Sequence, residues 1–207
     1  MTIRAPLLAV LALAATASPV VAQGAAPTTL ACAPPLGPKS SHAEVVAAYG
    51  KANVVFRKID GAEGEKIAAT VVFPDDPKRR LELMWADEKK RSGLLAVRPA
   101  KETALVAPNG IRRGMTLAEV EKLNGRPFVL VGFDWDYGGA VTDWKGGALA
   151  GPAAGGCTVS VSFALPDDVD EAISAAVAGD TEFSSSDTTM KAAKPVVDGF
   201  ALGWPQP

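Results

Sequence analysis

The chain has 207 residues, 48% apolar and 21% charged, with 21 basic and 23 acidic groups and a net charge of −2. That balance excludes a disordered tail, a collagen-like or low-complexity filament and a polytopic membrane protein. It also supplies no basic footprint, so no nucleic-acid partner is expected.

Arg4 is the only charge before an apolar run from Leu7 to Ala17, and Val20-Val21-Ala22 precedes Gln23 with small or moderate side chains. This order reads as a secretory signal peptide over residues 1–22, cleaved after Ala22. Pro19 interrupts the run short of the ~20 apolar residues that a spanning helix needs, and no later run is long enough. A periplasmic or extracellular product without a membrane span is therefore expected. Lipidation at Cys32 is not expected, because Leu30 stands one place off the position that a lipid-anchor motif requires.

A Pro-rich arm over residues 23–40 follows. Cys32 and Cys157 are the only thiols, and in an oxidising compartment two thiols usually pair. A bridge between them would staple the arm to the body.

Set against itself at an offset of 75 residues, the chain aligns SHAEVVAAYGKANVV from Ser41 with TLAEVEKLNGRPFVL from Thr116, and five of the fifteen positions are identical. Ser41 with Glu44, and Thr116 with Glu119, each form an S/T-x-x-E capping box. Val45, Ala48 and Tyr49, and in the second copy Leu117, Val120 and Leu123, recur on one helical face. Gly50 and Gly125 stand where each helix ends. The spacing thus predicts two tandem units of short helix followed by antiparallel sheet, residues 41–107 and 108–207. The fold class is α+β, with helices on one face of the sheet and the other face open. Strands are expected near 54–59, 66–73, 80–85 and 93–97, then near 128–137, 140–144, 157–165 and 196–204. Between the last two, residues 167–194 read as an insertion: one helix capped by Asp168, a second capped by Ser186 over 188–193, and a mobile Ser/Thr-rich loop over 182–189.

The string IRRGMTLAEVEKLNG, Ile111 to Gly125, resembles the superfamily of β-lactamase inhibitory proteins and of small outer-membrane lipoproteins of the barrel-assembly machinery. In that superfamily G-M-T/S, then E-V and a late glycine, open the helical part, which maps onto Gly114, Met115, Thr116, Glu119, Val120 and Gly125. The wider string NGRPFVLVGFDWDYGG is similar to exported proteins of Gram-negative bacteria. The resemblance implies an exported binding or assembly protein of α+β fold.

One histidine limits the chemistry. His42 lies in the first turn of the first helix, where a solvated polar residue is expected. No G-x-S-x-G elbow, phosphate-cradling loop or set of zinc ligands is present, so no catalytic residue, cofactor or metal is expected. The remaining constellation is GFDWDYGGAVTDW, Gly132 to Trp144. With Gly138-Gly139 as a two-residue hairpin loop, alternation puts Phe133, Trp135, Tyr137 and Trp144 on one face. Asp134 and Asp136 fall on the other, with Asp143 directly across from Asp134. These seven residues are the candidate binding surface. The first reading is a soluble periplasmic protein-binding or inhibitory module without catalytic activity, whose partner is another envelope protein. The second is an enzyme acting on cell-wall glycan through Asp134, Asp136 or Asp143, and the third a structural factor for envelope integrity.

Overall fold

The computed structural model of the chain describes Met1, residues 28–61 and residues 64–204. Apart from Met1, the expected signal peptide lies outside the described residues, as does the start of the arm, residues 23–27. No helix among the described residues is long and apolar enough to cross a membrane.

Both capping boxes form. In α1 (His42–Tyr49) the Ser41 amide donates to Glu44 Oε2 at 2.7 Å, and in α2 (Leu117–Asn124) the Thr116 amide donates to Glu119 Oε2 at 2.8 Å. Each pair satisfies orphan donors of a first helical turn. Gly125 ends α2 at φ +77°, in the left-handed region. Within the expected helical faces, Val45, Leu117 and Val120 are buried, whereas Leu123 is 37% exposed.

After α1 the chain runs through a four-strand meander: β1 (Val54–Asp60), β2 (Lys66–Val72), β3 (Leu81–Asp87) and β4 (Ser92–Pro99). After α2 come β5 (Val129–Val131), β6 (Val141–Asp143), β7 (Thr158–Ala164), α3 (Glu171–Ala176), β8 (Glu182–Ser184), α4 (Thr188–Ala193) and β9 (Val196–Gly203). The fold is α+β. Strands from both stretches join in one antiparallel sheet of order β1-β2-β3-β4-β9-β7, and β6-β5-β8 form a smaller one.

Alternation sorts the large sheet into two faces. Val72, Leu83, Trp85, Val97, Val161, Phe163, Phe200 and Leu202 point into the main core. Every buried apolar residue of the helices joins that same cluster, with Val45, Val120, Met190 and Ala193 among them. On the other face, Ile59, Ala69 and Val71 form a separate cluster with Ile67 and Met84, all of them strand residues. The open side of the sheet is thus the one away from the helices.

The insertion is structural. Its expected mobile loop contains β8, which pairs with β5 (Val129↔Ser184, Leu130↔Phe183). Ser185 is fully buried, takes the Phe128 amide at 2.9 Å and donates to Glu121 at 2.6 Å. The helix caps are Asp170 and Asp187, each one or two residues past the expected Asp168 and Ser186.

Cys32 and Cys157 are bonded, with Cα atoms 5.8 Å apart. The arm is also tied by its backbone, since the Leu30 amide donates to Val106 O at 2.8 Å and the Val106 amide to Thr28 O at 3.0 Å.

His42 departs from its expected solvated setting. Its ring is half-buried, lies edge-on to Phe56 and has Nδ1 2.8 Å from Thr70 Oγ1. The Thr70 oxygen already accepts the Trp85 indole N–H at 2.9 Å, which leaves its hydroxyl proton for Nδ1 of a neutral imidazole. Burial first, and then the Arg91 charge, hold the His42 pKa below the usual histidine value. The unfolded chain therefore takes up a proton before the folded one as pH falls. The resulting stabilisation is complete above about pH 6.5 and is lost as pH drops through the lower folded value. Chemical denaturation at about pH 7.5 and about pH 5.5 should show a smaller acid loss for His42→Gln than for the parent. Equal losses would mean that His42 does not carry this dependence.

Candidate functional site

The segment from Gly132 to Trp144 is not the expected hairpin. β5 stops at Val131, and its partner β6 places Asp143 opposite Val129 and Val141 opposite Leu130 across a bulge. The intervening residues form a folded finger. Gly138 N–H donates to Trp135 O at 2.8 Å and Ala140 N–H to Tyr137 O at 3.0 Å, with Asp134 at φ +59° and Tyr137 at φ +63°. Left-handed backbone costs a non-glycine residue about 1 to 2 kcal/mol. Such strain persists only where its surroundings enforce it.

The root of the finger supplies that enforcement. Gly132 N–H donates to Thr181 O, Phe133 N–H to Val177 O and Gly179 N–H to Phe133 O, each at 2.8 Å. On the far side Phe163 N–H donates to Gly139 O at 2.9 Å, and Ala140 bridges to Ser162 of β7. A Cβ on Gly132 would lie 2.6 Å from Gly179 O, and one on Gly139 would lie 2.0 Å from Phe163 O. Only glycine lets the chain pass at these two points.

This arrangement divides the seven candidates. The aromatic residues do not share a face. Phe133 is 4% exposed and belongs to the core, and Trp144 packs at 5.2 Å against Phe128, which in turn stacks on Phe163 at 5.7 Å. Trp135 and Tyr137 instead project from the finger, 61% and 84% exposed. Asp134 and Asp136 flank them and are also exposed. Asp143 is removed from this group: its carboxylate binds Lys145 Nζ at 2.9 Å and accepts the Lys145 backbone N–H at 2.6 Å. The side-chain bond from Lys145, and then the backbone bond, hold the Asp143 carboxyl below the usual carboxylate range. The direct cross-strand opposition of Asp134 and Asp143 expected from a hairpin does not arise, because Asp143 stands opposite Val129.

Beside the finger lies a cleft of about 380 Å³ on the open side of the large sheet. Gly199 and Ala201 of β9 with Ser160 and Ser162 of β7 form its floor, while Tyr137 and the Pro99–Lys101 turn border it. A side chain at Gly199 would meet only Ser162 Oγ at 3.6 Å, so packing does not demand a glycine there. Glycine inside a strand often marks a place where another backbone comes close. Arg98 on this border pairs with Glu82 at 2.8 Å, a carboxylate that Arg80 also binds, and Asp198 pairs with Arg113 at 2.9 Å. Lys101 makes no ion pair among the described residues. Apart from Tyr137, these lining residues carry no local sequence signal, because the floor is made of ordinary small residues of β7 and β9 brought together by strand pairing. Among the described residues no group of three or more His, Cys, Asp or Glu side chains is placed to hold a metal ion.

Comparison with known proteins finds no matching family model, no matching curated protein and no matching solved structure.

Proposed function

We propose that the chain is a periplasmic protein-binding or inhibitory module without catalytic activity, which engages another envelope protein through the Trp135–Tyr137 finger and the adjoining cleft. The observation that carries this reading is the pair of aromatic side chains, 61% and 84% exposed, on a strained loop clamped at both ends. Trp and Tyr dominate interface hot spots, and a loop already fixed in shape loses little entropy on binding. The disulfide fits an oxidising compartment.

The test is capture of envelope proteins on the immobilised chain, compared with a Trp135→Ala/Tyr137→Ala variant. Both side chains are exposed, so unfolding should shift by no more than about 0.5 kcal/mol. Capture of a discrete envelope protein should fall at least tenfold, the size of loss that truncating a hot-spot aromatic brings. A captured protein retained equally by parent and variant would refute the finger as the binding surface.

A further inference from the structure

The charges of this molecule are unevenly distributed along the chain. Residues 28–113 hold fifteen basic and ten acidic groups, whereas residues 134–187 hold ten acidic groups and one basic one, Lys145. Lys145 is occupied by Asp143. The backbone bonds at the finger root bring the two ends of this acidic stretch together: Gly132 meets Thr181, and Phe133 meets Val177 and Gly179. Asp134 and Asp136 in the finger are therefore joined at its base by Asp180 and Glu182, all exposed. Glu182 accepts the Thr142 hydroxyl at 2.7 Å, and none of the four makes an ion pair among the described residues. Trp135 and Tyr137 lie in the same finger as Asp134 and Asp136, above a base that carries Asp180 and Glu182.

We infer that the finger docks on a cationic protein surface, with an arginine or lysine of the partner lying over the exposed Trp135 or Tyr137 ring between the Asp134 and Asp136 carboxylates. This deepens the binding-module reading and rests on it. An aromatic face attracts a cation directly, and carboxylates beside it add charge-assisted hydrogen bonds. The four carboxylates at the finger, none of them ion-paired among the described residues, favour and orient the approach of a cationic surface. Lys101 repels a cation from the cleft side of Tyr137, which confines the cationic contact to the finger.

The experiment titrates the processed chain with a short acetylated, amidated peptide alternating glycine and arginine, and with its glutamate counterpart. Trp85 and Trp204 are buried and Trp144 is packed against Phe128, so a change in tryptophan emission or in a surface indole resonance reports Trp135. The arginine peptide should bind saturably, about tenfold more weakly at physiological than at low ionic strength, and the glutamate peptide should not bind. Asp134→Asn/Asp136→Asn should weaken the arginine peptide about tenfold, and Lys101→Ala should leave it unchanged or tighter. The inference is overturned by absence of binding, by equal binding of both peptides, by indifference to salt or to the Asn pair, or by a loss in Lys101→Ala. Salt-sensitive self-association without peptide would overturn it as well, by making a second copy of the chain the occupant. Failure here with Trp135-dependent capture of an envelope protein removes the cationic contact and leaves the binding module. Failure of both removes the module.

Discussion

Gly139→Ala should lower the free energy of unfolding by roughly 3 to 5 kcal/mol, the sum of backbone strain and overpacking. The glycine sits at φ +73°, and an added Cβ would lie 2.0 Å from Phe163 O and 2.9 Å from the Phe133 ring. Phe163 O belongs to β7, which is paired along its length with β9, so the obstruction cannot swing aside as the end of a flexible side chain would. Gly146 supplies the control. It has φ +68° and nothing within 4 Å of the Cβ position, so Gly146→Ala should cost only the about 1 to 2 kcal/mol of a left-handed alanine. Urea denaturation of the two variants separates the terms. Similar losses would mean that the close approach of Gly139 to β7 is absent from the protein in solution.

Cys32→Ser/Cys157→Ser should cost about 4 to 5 kcal/mol, because the bond spans 125 residues of sequence and closing so long a loop removes much freedom from the unfolded chain. The loss should be largest at the arm. Leu30 and Leu36 are 6% and 3% exposed and belong to the main core, yet the backbone bonds that hold the arm to Val106 are few. Limited proteolysis of the variant should cut first within residues 28–40, and hydrogen exchange of the core strands β2 and β3 should speed up in step with the lowered global stability. A loss under about 1 kcal/mol in denaturation would show that the arm docks without its staple.

What the sequence revealed follows the range of the interactions involved. Both capping boxes close within four residues, and the meander β1–β4 joins neighbours through short turns, so local patterning located these elements to within a few residues. The pairing of Cys32 with Cys157 followed from there being no other thiol. The finger reads as a hairpin in the sequence because its true shape depends on carbonyls far along the chain: Val177 and Gly179 against Gly132, and Phe163 against Gly139. Gly138-Gly139 looks the same in a two-residue turn as in a passage squeezed against another strand. β8 reads as a loop because its run of serines looks solvated, whereas Ser185, just after β8, is a buried partner for the Phe128 amide. Within the candidate site, alternation puts all four aromatic residues on one face, whereas the structure separates them. Exposure of Trp135 and Tyr137, and burial of Phe133 and Trp144, are set by contacts that no window of neighbouring residues contains.

The position of β9 governs the order in which the molecule can be completed. It lies between β4 and β7 in the large sheet, although nearly half the chain separates it from β4. During synthesis the meander can assemble early through nearest-neighbour contacts, which form fast. Until β9 arrives, the inner margin of β4 and the facing margin of β7 both present unpaired amides and carbonyls, a template for joining a foreign strand. Once β9 takes its place between them, both margins are paired and that template is gone.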